Sequence, residues 1–246
     1  MCTFPCPSRP RLSLAVLALV LCTLTPAQAA RPDHVAQVDL VPGLENTFHR
    51  SAVVDPVAKL LYTGASNYAI TVSDLTTNLA VAQIPVPNYG ILAMAVDPAS
   101  HRLFAVAGAP SLFIIDTVSR AVTTTVTLPS GFSPTDLAYD AGLGRIYISS
   151  SSNAGGVAEI DATAPGYTVL RTLTTGPNAR SVDCNPSTHA VYATSAVSAN
   201  DSNSTEICFF DPASATPTSV LPLTNLGNTV RYVPSVDRLY VTGTNT

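Results

Sequence analysis

Few residues in this chain could do chemistry, and their types favour recognition over reaction. The 246-residue sequence has three Glu, at 45, 159 and 206, and four His, at 34, 49, 101 and 189. It contains no Gly-x-Ser-x-Gly elbow, phosphate-cradling glycine loop, Cys-x-x-Cys pair or His-Glu-x-x-His helix. His49 has no second ligand at a matching spacing, so neither a metal nor a cofactor is expected. Asp201 and Asn203 in a long polar loop over 198–205, with Glu206 directly after it, are read as flexible polar residues rather than as a calcium site. What remains is a mixed set: Glu45, His49, Arg50, Tyr89, Asp136, Asn178, Arg180 and Arg231, with Asn46, Asn88, Phe132, Thr135 and Asn228 close to them in sequence. Arginine forks, amides and aromatic rings of this kind suit a small polar or acidic ligand, and they equally suit solvated loops.

The elements that must hold these residues are strands. Hydrophobic residues make up 46% of the chain and charged residues only 11%, with 20 Pro, 13 Gly and no Trp, which excludes a disordered chain or a coiled coil. An abundance of Thr, Ser, Val, Ala and Pro favours short strands joined by tight turns. The first thirty residues have the pattern of an export leader: Arg9 and Arg11, an apolar run over 12–24, then Ala27-Gln28-Ala29 as the cleavage site. Cleavage after Ala29 leaves a periplasmic or secreted chain, and the run is shorter than the roughly 20 residues that span a bilayer. Removing Arg9 and Arg11 changes the formal charge from −4 (12 basic, 16 acidic) to −6 (10 basic, 16 acidic), which disfavours nucleic-acid binding.

One pattern recurs along the rest of the chain. An apolar strand runs into an Asx turn at Val54-Asp55-Pro56, Val96-Asp97-Pro98, Tyr139-Asp140-Ala141 and Cys184-Asn185-Pro186, with Val233-Pro234 as a fifth copy. A second strand follows, centred on Tyr62, Phe104, Tyr147, Tyr192 or Tyr240, at spacings of 42, 43, 45 and 48. A third strand ends on Asp74, Asp116, Asp161 or Asp211, and a fourth covers 80–86, 121–128, 169–174 and 219–223. Four short strands per repeat of this length make an all-β chain with the blades of a β-propeller. The repeats are 48–86, 87–128, 129–175 and 176–225, with a partial one at 226–246, inside a domain of 30–246 that follows the 1–29 leader. Residues 35–43 read as the outer strand of the closing blade.

Arg238-Leu239-Tyr240-Val241-Thr242, the Asp-Pro turns and Ile115-Asp116-Thr117 resemble the YVTN family of exported β-propeller repeat proteins. That resemblance implies a ring of seven blades, whereas about four and a half are present here. A five-bladed ring one strand short and an arc of a larger ring both fit this count. The arc is favoured, because an unclosed small ring leaves a strand edge unpaired. The resemblance implies a non-enzymatic binding or protein-interaction scaffold for an unknown small polar ligand or protein partner. The alternative is a hydrolase or lyase similar to propeller lactonases, with Glu45, His49 and Asp136 as acid–base groups in the channel.

Within the repeats, the recurring Asp and Asn are read as turn-forming residues, and chemical asymmetry is expected in the loops leading into each first strand. His101 and His189 fall at equivalent turns and are expected to be exposed. Cys184 and Cys208 fall on a first and a third strand, about 9 to 10 Å apart at two strand spacings, too far for a disulfide. Two free, buried thiols are expected.

Overall fold

The computed structural model describes residues 49–65, 68–87, 90–163, 166–199, 201–223 and 226–244. The leader, the expected strand at 35–43, Glu45 and Tyr89 lie outside them, and His49 and Arg50 are placed by their backbone. The first sheet contains β1 (His49–Asp55), β2 (Leu60–Ala65), β3 (Ala69–Asp74) and β4 (Leu79–Pro85), paired in that order and all antiparallel. The second has β5 (Ile91–Asp97), β6 (Arg102–Ala107), β7 (Ser111–Asp116) and β8 (Ala121–Thr127). The third has β9 (Pro134–Asp140), β10 (Arg145–Ser150), β11 (Val157–Asp161) and β12 (Val169–Leu173). The fourth has β13 (Ser181–Cys184), β14 (Val191–Ser198), β15 (Asp201–Phe210) and β16 (Ser219–Leu223). A fifth sheet has two strands, β17 (Leu226–Val233) and β18 (Arg238–Thr244).

Local chemistry sets these boundaries. The side-chain oxygen of Asp55 accepts the amides of Val57 and Ala58 at 2.9 Å, and Asp140 does the same for Gly142 and Leu143, and Asn185 for Ser187 and Thr188. Asp74 and Asp116 repeat this between the third and fourth strands. Each hairpin between first and second strands ends on a left-handed residue: Lys59, His101, Gly144, His189 and Asp237 all have φ between 49° and 62°. The third strand β7 is buried on both faces and reads as the continuous apolar run Leu112-Phe113-Ile114-Ile115, while the outer β4 and β8 alternate between covered and exposed residues. The expected long loop at 198–205 is a correction: β14 and β15 continue as a hairpin as far as Ser198 opposite Asp201, because the backbone pairing resumes there after a register shift between Ala196 and Ser198 that takes up the extra residues of β15.

The core lies between sheets, one apolar layer per junction. Tyr62, Val72, Ile91, Met94 and Phe113 pack between the first and second sheets, and Phe104, Ile114, Leu137 and Ile148 between the second and third. Tyr147, Val157, Val182 and Cys208 pack between the third and fourth. Cys184 and Cys208 are free and buried, as expected, and burial pushes their thiols up to about 12 and about 11. The junction of the fourth and fifth sheets includes the aromatic pair of Tyr192 and Tyr232, with ring centroids 5.9 Å apart.

The first sheet differs on the face turned away from the second. On the corresponding face the later sheets carry Met94, Ala105 and Phe113, then Leu137, Ile148 and Ala158, then Val182, Ala193 and Cys208. In the first sheet the same row is Ala52, Thr63, Thr71 and Gln83. The hydroxyls of Thr63, Thr71 and Ser73 are buried there without a hydrogen-bond partner.

Candidate functional site

The five first strands β1, β5, β9, β13 and β17 lie side by side and converge on a cavity of about 380 Å³. A β-bulge aims side chains into it. In the ladders, Arg50, Leu92, Thr135 and Asn228 are each the extra residue near the start of a first strand. Arg180 holds the same place in the fourth sheet, where its amide bonds the Thr194 carbonyl while Ser181 pairs with Thr194. A bulge turns the extra residue out of the normal alternation, and Leu92, Thr135, Arg180 and Asn228 all line the cavity.

One step deeper, Ser51, Ala93, Asp136, Ser181 and Thr229 form a second tier of the lining. Asp136 is buried, and its oxygens are occupied: Leu137 N donates at 2.9 Å, Ser181 Oγ at 2.5 Å and Val182 N at 3.3 Å. Arg231 adds Nη1 at 2.8 Å and Nη2 at 3.3 Å, so this carboxylate joins the third, fourth and fifth sheets. The Arg231 side chain is half exposed. Burial works against its charge, and the Asp136 carboxylate, with Asp183 nearby, outweighs that and holds it more firmly protonated. Asp183 bridges sheets in a related way, accepting the amides of Cys184 and Tyr232 at 2.8 Å each. Burial raises its pKa, a rise that these two donors and Arg231 reduce without cancelling. Both carboxylates thus cap amides on the free inner edges of first strands. Arg180 donates to Asn228 Oδ1 at 2.6 Å across the fourth and fifth sheets.

Comparison with known proteins fixes the architecture. No family model matches the chain, and no curated protein matches its sequence. Among solved structures it is similar to hydrazine synthase from Kuenenia stuttgartiensis, with a TM-score of 0.69 and 16% identity over 83% of this chain and 59% of that one. It is also similar to the Cps50 (Swd1) β-propeller domain of Myceliophteria thermophila, with a TM-score of 0.66 and 11% identity over 81% of this chain and 64% of that one. The chain is a β-propeller in fold. It spans less than two thirds of the length of either neighbour, and at these identities the likeness is one of fold. Each sheet is a blade, the described blades do not close into a ring, and the cavity lies where first strands line a propeller's channel.

The propeller therefore gathers Asp136, Arg180 and Arg231, together with Thr135 and Asn228, from the residues singled out in the sequence. Asn178 is not among the cavity-lining residues: it sits in a left-handed turn with its amide on the Ser152 carbonyl. Phe132 is buried in the layer between the second and third blades. Of the groups assigned to hydrolysis, Glu45 lies outside the described residues, His49 is placed by its backbone, and Asp136 is already saturated with donors. Ser51, Ser181, Asp183 and Thr229 were not anticipated as cavity-lining residues. Aligning the repeats on their second-strand aromatics would have placed Ser51, Ser181 and Thr229 on the tier of Asp136. His189 is also corrected: it is partly covered rather than exposed, with Nδ1 2.8 Å from Oδ2 of the buried Asp140 in the preceding blade.

Proposed function

We propose that this protein is an exported, non-enzymatic binding scaffold of the YVTN type that holds a small polar ligand in its channel cavity. The supporting observation is the convergence of five first strands on one cavity, with a bulged residue near the start of each. The bulge is common to the blades and its occupant is not, so one scaffold presents arginine, amide, hydroxyl and apolar groups to the same space. A small molecule bound there touches several blades at once, which favours the assembled state by mass action. Export is supported by the leader pattern, and the family by the Tyr-Val-Thr strand and the Asp-Pro turns.

A thermal-shift screen of small polar metabolites tests this reading on the wild type and on Thr229→Trp and Ser51→Trp, which fill the cavity from different blades. Compounds that raise the unfolding midpoint of the wild type by several degrees and leave both filled variants unchanged are the expected result. A shift that survives both substitutions, or no shift with any compound, refutes the reading.

A further inference from the structure

We propose that the cavity takes a small ligand bearing an oxyanion, a carboxylate or a phosphate, on the edge of the Arg231 guanidinium formed by Nε and Nη2. This inference rests on the channel-cavity reading above and narrows it to one ligand class.

The argument is a count of donors and acceptors. Arg231 uses its end-on fork inside the protein. Nη1 bonds Asp136, Ser181 and the carbonyls of Val182 and Val230, and Nη2 makes one longer contact to Asp136. No hydrogen bond from Nε is present among the described residues, and the side chain is half exposed in the cavity. The parallel N–H groups of Nε and Nη2 are therefore left facing space, and their geometry matches two oxygens of one carboxylate or phosphate.

Among the described residues, the carboxylates of the lining are already engaged. Asp136 receives two backbone amides, a hydroxyl and the guanidinium, and Asp183 receives two backbone amides. Arg180, on the same cavity, adds a second positive group from the neighbouring blade. Among the described residues that line the cavity, each carboxylate oxygen already has a donor, whereas Arg231 keeps one edge of its guanidinium for an anion. Asp136 acts as a positioning residue that fixes the orientation of Arg231 and leaves its other edge outward.

Isothermal titration tests this with inorganic phosphate and succinate as anionic probes and xylitol as a neutral one, sodium chloride holding the ionic strength constant. Saturable binding of at least one anion to the wild type is expected. Arg231→Lys, which keeps the charge and loses the fork, should weaken it at least tenfold, and Arg180→Gln severalfold, in variants that still unfold in one cooperative transition. If Arg231→Lys unfolds, the loss on Arg180→Gln alone decides. Equal anion affinity in wild type and variants overturns the inference. Binding of xylitol without either anion overturns it while leaving the cavity reading in place, and binding of none of the three overturns it and counts against the cavity reading as well.

Discussion

Tyr139 shows how single side chains join the blades. Its hydroxyl donates to Asp97 Oδ2 at 2.9 Å in the preceding blade, and its ring lies 4.9 Å from that of Phe104. Burial, followed by the hydrogen bond and charge of Asp97, raises its pKa, so it remains a donor at any ordinary pH. Burial pushes the Asp97 carboxyl up as well, but hydrogen bonds from Ser100, Tyr139 and Ala99 outweigh it and the group titrates below its usual range. A carboxyl lowered on folding adds stability that is complete above its unfolded pKa of about 3.9 and is lost as pH falls through the folded value. Tyr139→Phe should therefore cost about 1 kcal/mol at pH 7, with the difference from wild type shrinking below about pH 4, as read from urea unfolding across that range. The turn role of Asp97 was legible in sequence from its short side chain before a proline. Its second role was not, because nothing in one repeat shows which residue of the next will lie above it. His189 escaped for the same reason: a left-handed turn position suggests solvent, and the contact with Asp140 exists only once two blades are stacked.

Strands and turns were legible because alternation, aromatic spacing and Asx positions repeat in register, and apart from the β14–β15 hairpin the described strands begin and end within a few residues of the ones read. The bulges were not, since a bulge is a mismatch between two strands and leaves no mark on either alone. Position within the arc also changes what one repeated residue is worth. Tyr62, Phe104 and Tyr147 are buried beneath the following blade, whereas Tyr240, at the same place in β18, is 51% exposed. Phe104→Ala should cost about 3–5 kcal/mol and Tyr240→Ala less than about 1 kcal/mol, measured by chemical denaturation of each. Similar costs at the two positions would mean that the fifth blade is covered in solution by something the described residues do not include.

At the scale of the molecule, apolar layers join the first four blades in succession, and the first blade turns a row of hydroxyls away from them. Thr71 is almost fully buried with its hydroxyl unpartnered, so Thr71→Val removes a desolvated polar group at nearly constant shape. It should stabilise the protein by about 1 kcal/mol, or raise the midpoint by about 3 °C in a thermal melt, and a lower midpoint would show that the hydroxyl is bonded in solution. The succession of four-stranded blades was legible in the repeat count, while this polar face needed the ladders that align Thr63 and Thr71 with Ala105 and Phe113. The bulge that places Arg50, Leu92, Thr135, Arg180 and Asn228 belongs to the backbone and tolerates five placements of four different residue types. Such a position can change its side chain without disturbing the ladder beneath it. A single substitution at one of these positions therefore alters the chemistry of one sector of the channel and leaves the pairing of every other blade as it was.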